Sequence, residues 1–173
     1  MTAPIVSTAR LDLWQPVAAD LHALAALVVP DAVRRYLGPR PLTLADEFGR
    51  LARNAGSWAL YGYGNFVVRE AGTPNVVGIC GVFHSWRGFG ADFDDTPEAG
   101  WIFAEPVWGR GYAGEAAAAA LAWFDAQHGP RRVACMIEPD NRASMAIAAR
   151  LGFVAYREQD FDGVTLILLQ RMP

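Results

Sequence analysis

Apolar and polar residues alternate along residues 8–16 (T-A-R-L-D-L-W-Q-P), the period of a half-buried strand, and Pro16 ends the run. The period then changes. Between residues 20 and 29, Leu21, Leu24, Ala25 and Val28 recur at the spacing of one helix face, and Pro30 stops them. A loop carrying Gly38-Pro39-Arg40-Pro41 leads to a second helix, bracketed at its start by Thr43 and Glu47 and expected to end near Asn54-Ala55-Gly56. Both helices precede most of the sheet, a position from which they could form a lid. Residues 66–70 and 76–83 read as an antiparallel hairpin through the turn A-G-T-P-N. A polar loop (88–97) and a strand (98–104) follow. A long alanine-rich helix (113–128) stops at Gly129-Pro130. A strand at 132–138, a helix at 142–151 closed by Gly152, and a hairpin (153–159 and 164–170) around Asp162-Gly163 complete the chain. The order β-α-α-β-β-β-α-β-α-β-β describes an α/β class fold (α+β, mixed sheet), and no repeat or linker divides residues 1–173, so a single domain is expected. Alanines 116–120 are explained by helix propensity alone, or by a close approach of helix to sheet.

Composition narrows the setting. The 173 residues, 53% hydrophobic and 19% charged, suit a globular chain that can bury a core without disulfides or metal. A formal charge of −3 argues against a general nucleic-acid or anionic-membrane partner. Cys80 and Cys135 each sit in an apolar strand-like run, as reduced core thiols do. No apolar run approaches the length of a membrane span, and the N-terminus lacks a signal-peptide pattern, so a cytoplasmic location is expected.

Chemistry concentrates at W-G-R-G-Y-A-G-E (108–115), between a strand and the alanine-rich helix. Glycines at such a junction leave backbone N–H groups uncovered, and the helix start adds unpaired donors and a partial positive charge. Together they suit a phosphate or pyrophosphate. Gly109-x-Gly111-x-x-Gly114 also matches the dinucleotide fingerprint, with Glu138 24 residues further on. Against that reading, four residues (Glu105-Pro106-Val107-Trp108) separate strand from first glycine, and only 59 residues remain after Gly114. A P-loop is excluded because no Gly-Lys-Ser/Thr ends the turn.

The run E-A-G-W-I-F-A-E-P-V-W-G-R-G-Y-A-G-E-A resembles the acetyl-CoA-binding core of the GCN5-related N-acetyltransferases, and more narrowly their Rim-type branch. T-A-R-L-D-L at 8–13, R-R-Y-L-G-P-R-P at 34–41 and N-R-A-S-M-A-I-A-A-R-L-G-F at 141–153 are similar to the branch's opening strand, first inter-helix loop and closing helix. Trp108 stands where the superfamily usually has Gln or Arg. The resemblance implies a single GNAT domain that takes acetyl-CoA as cosubstrate, needs no metal and acetylates a primary amine directly. Gly109, Arg110, Gly111, Ala113 and Gly114 would cradle the pyrophosphate. Trp101 and Phe103 would pair with the pantetheine arm through main-chain atoms, their side chains belonging to the core.

Amine acetylation needs a proton acceptor, a polarised carbonyl and help for the departing sulfur. Glu98, at the start of the cofactor-edge strand, is the candidate base, the alternative being a solvated strand-end charge; His84 is the second candidate. Asn141 reads as a helix N-cap and, by resemblance, also as a pantetheine contact. The tyrosine acid of many superfamily members is replaced here by Ala148, and Ser144 would hydrogen-bond the sulfur instead. Arg110, better placed at the turn, and Arg142 could meet phosphates; Arg34, Arg35 and Arg40, near the presumed lid, could contact substrate or solvent. Trp86 and the 88–97 loop could shape the acceptor pocket, and Asp92, Asp94 and Asp95 there suggest either a cationic acceptor or a solvated loop. A non-catalytic acyl-CoA-binding module, a larger acyl donor and a homodimer stay open at this level, as does the acceptor itself.

Overall fold

The structure is a computed structural model, and it describes residues 3–38 and 41–173. Arg40 and Pro39, named above in the inter-helix loop, lie outside the described residues. Strands β1 (Val6–Ser7), β2 (Leu11–Trp14), β3 (Asn65–Glu70), β4 (Val76–His84), β5 (Pro97–Phe103), β6 (Val133–Ile137), β7 (Val154–Phe161) and β8 (Val164–Arg171) form one sheet, in the order β1-β2-β3-β4-β5-β6-β8-β7. All neighbours are antiparallel except β5 and β6. Five helices accompany it: α1 (Leu21–Leu27), α2 (Asp31–Arg34), α3 (Leu44–Tyr61), α4 (Tyr112–His128) and α5 (Arg142–Arg150). This is the mixed α/β architecture expected from the hydrophobic periods. With a single parallel pair, the sheet cannot supply the consecutive βαβ units of a dinucleotide fold, and that alternative is set aside.

The expected strand over residues 8–16 is instead a small hairpin. Residues 8–10 turn the chain between β1 and β2, with the Thr8 N–H donating to the Leu11 carbonyl at 2.8 Å. Alternation could not reveal this, because a three-residue turn keeps the period. The second helix runs past Gly56 to Tyr61 and ends at Gly62, whose φ of 77° gives the left-handed cap that glycine supplies without strain. Asn54, read as punctuation, points inward. Its Oδ1 accepts from the Asn65 N–H at 2.7 Å and its Nδ2 donates to the Asn65 carbonyl at 3.0 Å. The Trp58 indole N–H reaches the same carbonyl at 3.1 Å. At the start of α3, Thr43 and Asp46 cap each other's backbone N–H groups.

Each face of the sheet carries its own core. On one, α4 lays Ala116 and Ala120, both essentially solvent-free, over Leu11, Leu13, Phe66, Cys80 and Phe103. The alanine run therefore does serve close helix–sheet approach. Beside it, Ala148 of α5 packs with Leu121, Phe124, Cys135, Ile137 and Leu169. On the opposite face, Leu24, Leu27 and Val28 of the first helical segment bury against Val67, with Leu51 of α3 and Ile102 packed around them. The helices proposed as a lid are thus built into the core. No described helix is long and apolar enough to cross a membrane.

Asn54→Ala removes both ends of a buried clamp on the first residue of β3. The expected cost is about 1–3 kcal/mol of unfolding free energy, read from urea denaturation against the wild type.

Candidate active site

The site begins with how β5 is held. On one side it pairs with β4 along its length, from Gly78↔Phe103 to His84↔Pro97. On the other it shares one registered pair with β6, Glu98↔Ala134, and beyond that the two strands splay apart. The Ala104 N–H donates to the Val77 carbonyl at 2.9 Å. Antiparallel alternation therefore turns the main-chain groups of Trp101 and Phe103 away from β4, toward the gap. Of these, the Phe103 carbonyl accepts from the Trp108 indole N–H at 2.8 Å. The Trp101 N–H and C=O and the Phe103 N–H have no strand partner among the described residues.

A single 3-10 turn (Glu105–Val107) carries the chain from β5 to the glycines. Gly109 and Gly111 sit at φ 75° and 77°, and Gly111 is the residue before α4. The Glu115 N–H returns to the Gly111 carbonyl at 3.1 Å. The N–H groups of Gly109, Gly111, Tyr112, Ala113 and Gly114 have no hydrogen-bond partner among the described residues. A Cβ built on Gly109 or Gly114 would meet nothing within 4 Å, so there is open space beside both residues. Unpaired donors at the start of a 17-residue helix form an anion site by the physics of peptide dipoles.

The turn is braced from outside. Thr8 donates to Glu115 at 2.6 Å, and Arg10 reaches the same carboxylate through Nε at 2.7 Å and the Arg110 carbonyl at 2.8 Å. The Arg110 side chain is spent elsewhere, on Tyr112 Oη at 2.6 Å and Glu70 at 3.3 Å, with its guanidinium 4.4 Å from the Tyr112 ring centre. The Arg110 N–H donates to the Val107 carbonyl at 3.4 Å, so in this arrangement Arg110 offers the turn neither a free charge nor an unpaired amide.

Glu98 lies at the vertex where β5 and β6 part. Its side chain is only 4% exposed, so it is not a solvated strand-end charge. Arg87 grips the carboxylate with two hydrogen bonds of 3.0 and 2.7 Å, and the Ser85 hydroxyl also donates to it. Neither partner was singled out in the sequence. The available signal was physical: a carboxylate inside an apolar strand needs a cation, and Arg87 was the nearest one upstream.

Asn141 caps α5 as expected, its Oδ1 accepting from the Ser144 N–H at 3.1 Å. The Ser144 hydroxyl oxygen accepts from the Trp101 indole N–H at 3.2 Å, so the splayed strand and α5 are bridged by side chains. Trp101 is half-buried, whereas Phe103 is core. His84 does not present a free nitrogen: Nδ1 meets Tyr63 Oη and Nε2 meets Asp95 Oδ1, each at 3.1 Å. Burial raises the Tyr63 phenol, with smaller opposing and reinforcing effects from Arg131, Tyr61 and Asp95.

The loop aspartates are spent on partners within the protein. Partial burial would raise Asp94, but N–H groups of Arg87, Gly88 and Gly90 outweigh it and hold the carboxyl below its usual range. Asp92 pairs with Arg157 at 3.2 Å. A recess of about 470 Å³ remains, lined by Trp86, Gly90, Ala91, Asp94 and Asp95. Arg34 pairs with Asp31 and the Arg35 guanidinium lies 5.3 Å from the Tyr36 ring centre. Burial pushes both cysteine thiols far up, so neither is a thiolate nucleophile at neutral pH.

An acetyltransferase (GNAT) domain family model matches residues 10–154. The chain belongs to the GNAT acetyltransferase family. Among solved structures, it is similar to a Bordetella pertussis protein assigned to the GnaT acetyltransferase family, at 35% identity and TM-score 0.86 over 96% of this chain and 98% of that one. An Agrobacterium tumefaciens acetyltransferase matches at 26% identity and TM-score 0.81, over 100% and 96%. RimL, a ribosomal-protein alpha-N-acetyltransferase solved with coenzyme A, shares the GNAT fold at 16% identity and TM-score 0.75, covering 97% of each chain. A match of 30% identity over 92 residues to the Bacillus subtilis protein YkkB spans 53% of this chain and about half, 51%, of that curated relative.

Burial alone would raise the Glu115 carboxyl, but hydrogen bonds from Thr8 and Arg10, with the Arg10 charge, hold it below the usual range. A carboxylate held below its unfolded value stabilises the fold above that value and loses the effect as pH falls through the folded value. Glu115→Gln is therefore expected to cost roughly 1 kcal/mol at pH 7, a modest figure because Arg10 is well solvated. The gap to wild type should close as pH falls below about 4, as measured by urea unfolding at pH 7 and pH 3.

Proposed function

We propose that this GNAT protein moves the acetyl group of acetyl-CoA directly onto a primary amine, a protein N-terminus or a small-molecule amine, in the manner of the Rim-type branch. The observation that carries the reading is the set of unpaired amides at Gly109 and from Gly111 to Gly114, beside a strand with unpaired main-chain groups. Gly109, Gly111, Ala113 and Gly114 would hold the pyrophosphate by backbone donation, and Arg110, whose N–H is spent on the Val107 carbonyl, would shape the turn between them. Trp101 and Phe103 would meet the amides of the pantetheine arm, with Asn141 and Ser144 on the opposite wall. Acetyl-CoA supplies the acyl group as a thioester, and with both thiols protonated and buried no acyl-enzyme is invoked.

Glu98 would take the amine proton, directly or through a water. Its lone pairs are engaged by Arg87 and Ser85, so one donor must yield, and the Ser85 hydroxyl can do so by turning about a single bond. The same engagement favours a second reading: a module that binds acyl-CoA without turning it over.

Calorimetric titration separates these readings from their failure. Acetyl-CoA is expected to bind and NADH is not; the reverse result would sink the proposal. Gly114 is helical with open space beyond it, so Gly114→Leu fills the cradle without straining the backbone. It should weaken acetyl-CoA binding about tenfold or more while leaving the melting temperature in place. Turnover is then sought with a free-N-terminus tetrapeptide, spermidine, lysine and an aminoglycoside. Glu98→Gln should lower kcat by about 100-fold or more. Binding without turnover on any acceptor would favour the silent module, and unaltered kcat would remove Glu98 from the base role.

A further inference from the structure

The Trp101–Ser144 contact has a chemical consequence. An indole N–H is a donor only, so in this pair the Ser144 oxygen is the acceptor. The Ser144 hydroxyl hydrogen must then point elsewhere, and no acceptor for it exists among the described residues. Asn141 holds the backbone N–H of the same residue at 3.1 Å, which fixes the first turn of α5 and with it the Ser144 Cβ. Trp101 is fixed as well. Its strand is paired to β4 through Cys80↔Trp101, and its ring packs between the two core clusters beneath α4 and α5. The serine is thus held by a rigid donor from one wall of the gap and a helix cap from the other, with one O–H left unspent at the gap.

We propose that Trp101 is a positioning residue for sulfur recognition: by donating to Ser144 Oγ it orients and polarises the serine hydroxyl as a hydrogen-bond donor to the coenzyme A sulfur. The inference rests on the acetyl-CoA reading above. During aminolysis the amine nitrogen forms its bond to the carbonyl carbon as the C–S bond breaks. The amine gives one proton to the base, and the electron pair of the broken bond goes to sulfur, which ends as a thiol after taking up one proton from solvent. Ser144 donates a hydrogen bond to that sulfur throughout and keeps its own proton. A donor that is itself accepting a hydrogen bond is strengthened by it, and thiolate is a better acceptor than thioester. The contact therefore grows as the bond breaks. This assigns the half-buried tryptophan a task beyond its main chain, and it accounts for how a weak donor such as serine stands where a tyrosine acid is missing.

The test needs no acceptor. The dissociation constants of coenzyme A and desulfo-coenzyme A, which lacks the sulfur, are measured at pH 9, where the thiol is substantially ionised. They are taken for wild type, Trp101→Phe, Ser144→Ala and the double variant, with thermal unfolding as the folding control. Wild type is expected to prefer coenzyme A about fivefold, one hydrogen bond's worth. Trp101→Phe and Ser144→Ala should each lose most of that preference, and the double variant should lose no more than Ser144→Ala alone. A merely structural tryptophan would lower the unfolding temperature and weaken both ligands equally, which overturns the proposal. So does a Trp101→Phe protein that keeps the full preference, or losses that add in the double variant. Wild type binding both ligands equally overturns it while leaving the acetyl-CoA reading standing. Binding of neither ligand overturns both.

Discussion

Among the described residues, one registered pair, Glu98 with Ala134, joins the two halves of the sheet along its parallel seam. β5 is held by β4 on its outer side and β6 by β8 on its outer side, so both strands are secure without each other. Backbone polar groups left without partners are costly when buried. A gap in a sheet persists only if something else meets those groups. Here the Trp108 indole takes the Phe103 carbonyl, and the Trp101 indole crosses to Ser144. The Trp101 amide and carbonyl are left without a strand partner among the described residues.

Charge is arranged around this gap with opposite senses at its two ends. At the mouth, helix α4 begins with open N–H groups, and the acidic side chains nearby are turned outward onto partners: Glu115 onto Thr8 and Arg10, and Glu70 onto Arg110 and Tyr112. Those contacts turn the carboxylates away from the unpaired N–H groups at the start of α4. At the vertex the sign reverses, and Glu98 is buried with Arg87 clamped across it. A buried carboxylate with a bidentate guanidinium is a stable arrangement only while both stay in place.

Much of the fold could be read from periodicity, because burial on one face imposes a period of 2 on strands and 3.6 on helices wherever they occur. Strands 76–83 and 164–170 and the alanine-rich helix came out within a residue or two. The failures share a cause. The turn at Thr8–Arg10 preserved the alternation that concealed it, and Gly56 did not end α3 because Asn54 and Trp58, on either side, are tied to Asn65 far from them in the helix frame. The aspartates of the 88–97 loop read either as a draw for a cationic acceptor or as a solvated loop. Folded, Asp94 staples three backbone amides and Asp95 holds His84.

What the sequence by itself determined are features written in neighbouring residues: the glycines that allow φ near 75° at 109 and 111, the helix that follows them, the Asn141 cap, and hence a start to α4 with unpaired donors. These follow from local sterics and from hydrogen bonds spanning three or four residues. Which side chains face one another across the gap was decided only in three dimensions. The Arg87–Glu98 clamp is 11 residues long, Trp101–Ser144 is 43, and Thr8–Glu115 is 107. Such partners are chosen by which strands lie side by side and where two of them part. No local period carries that information, because it is a property of the whole sheet.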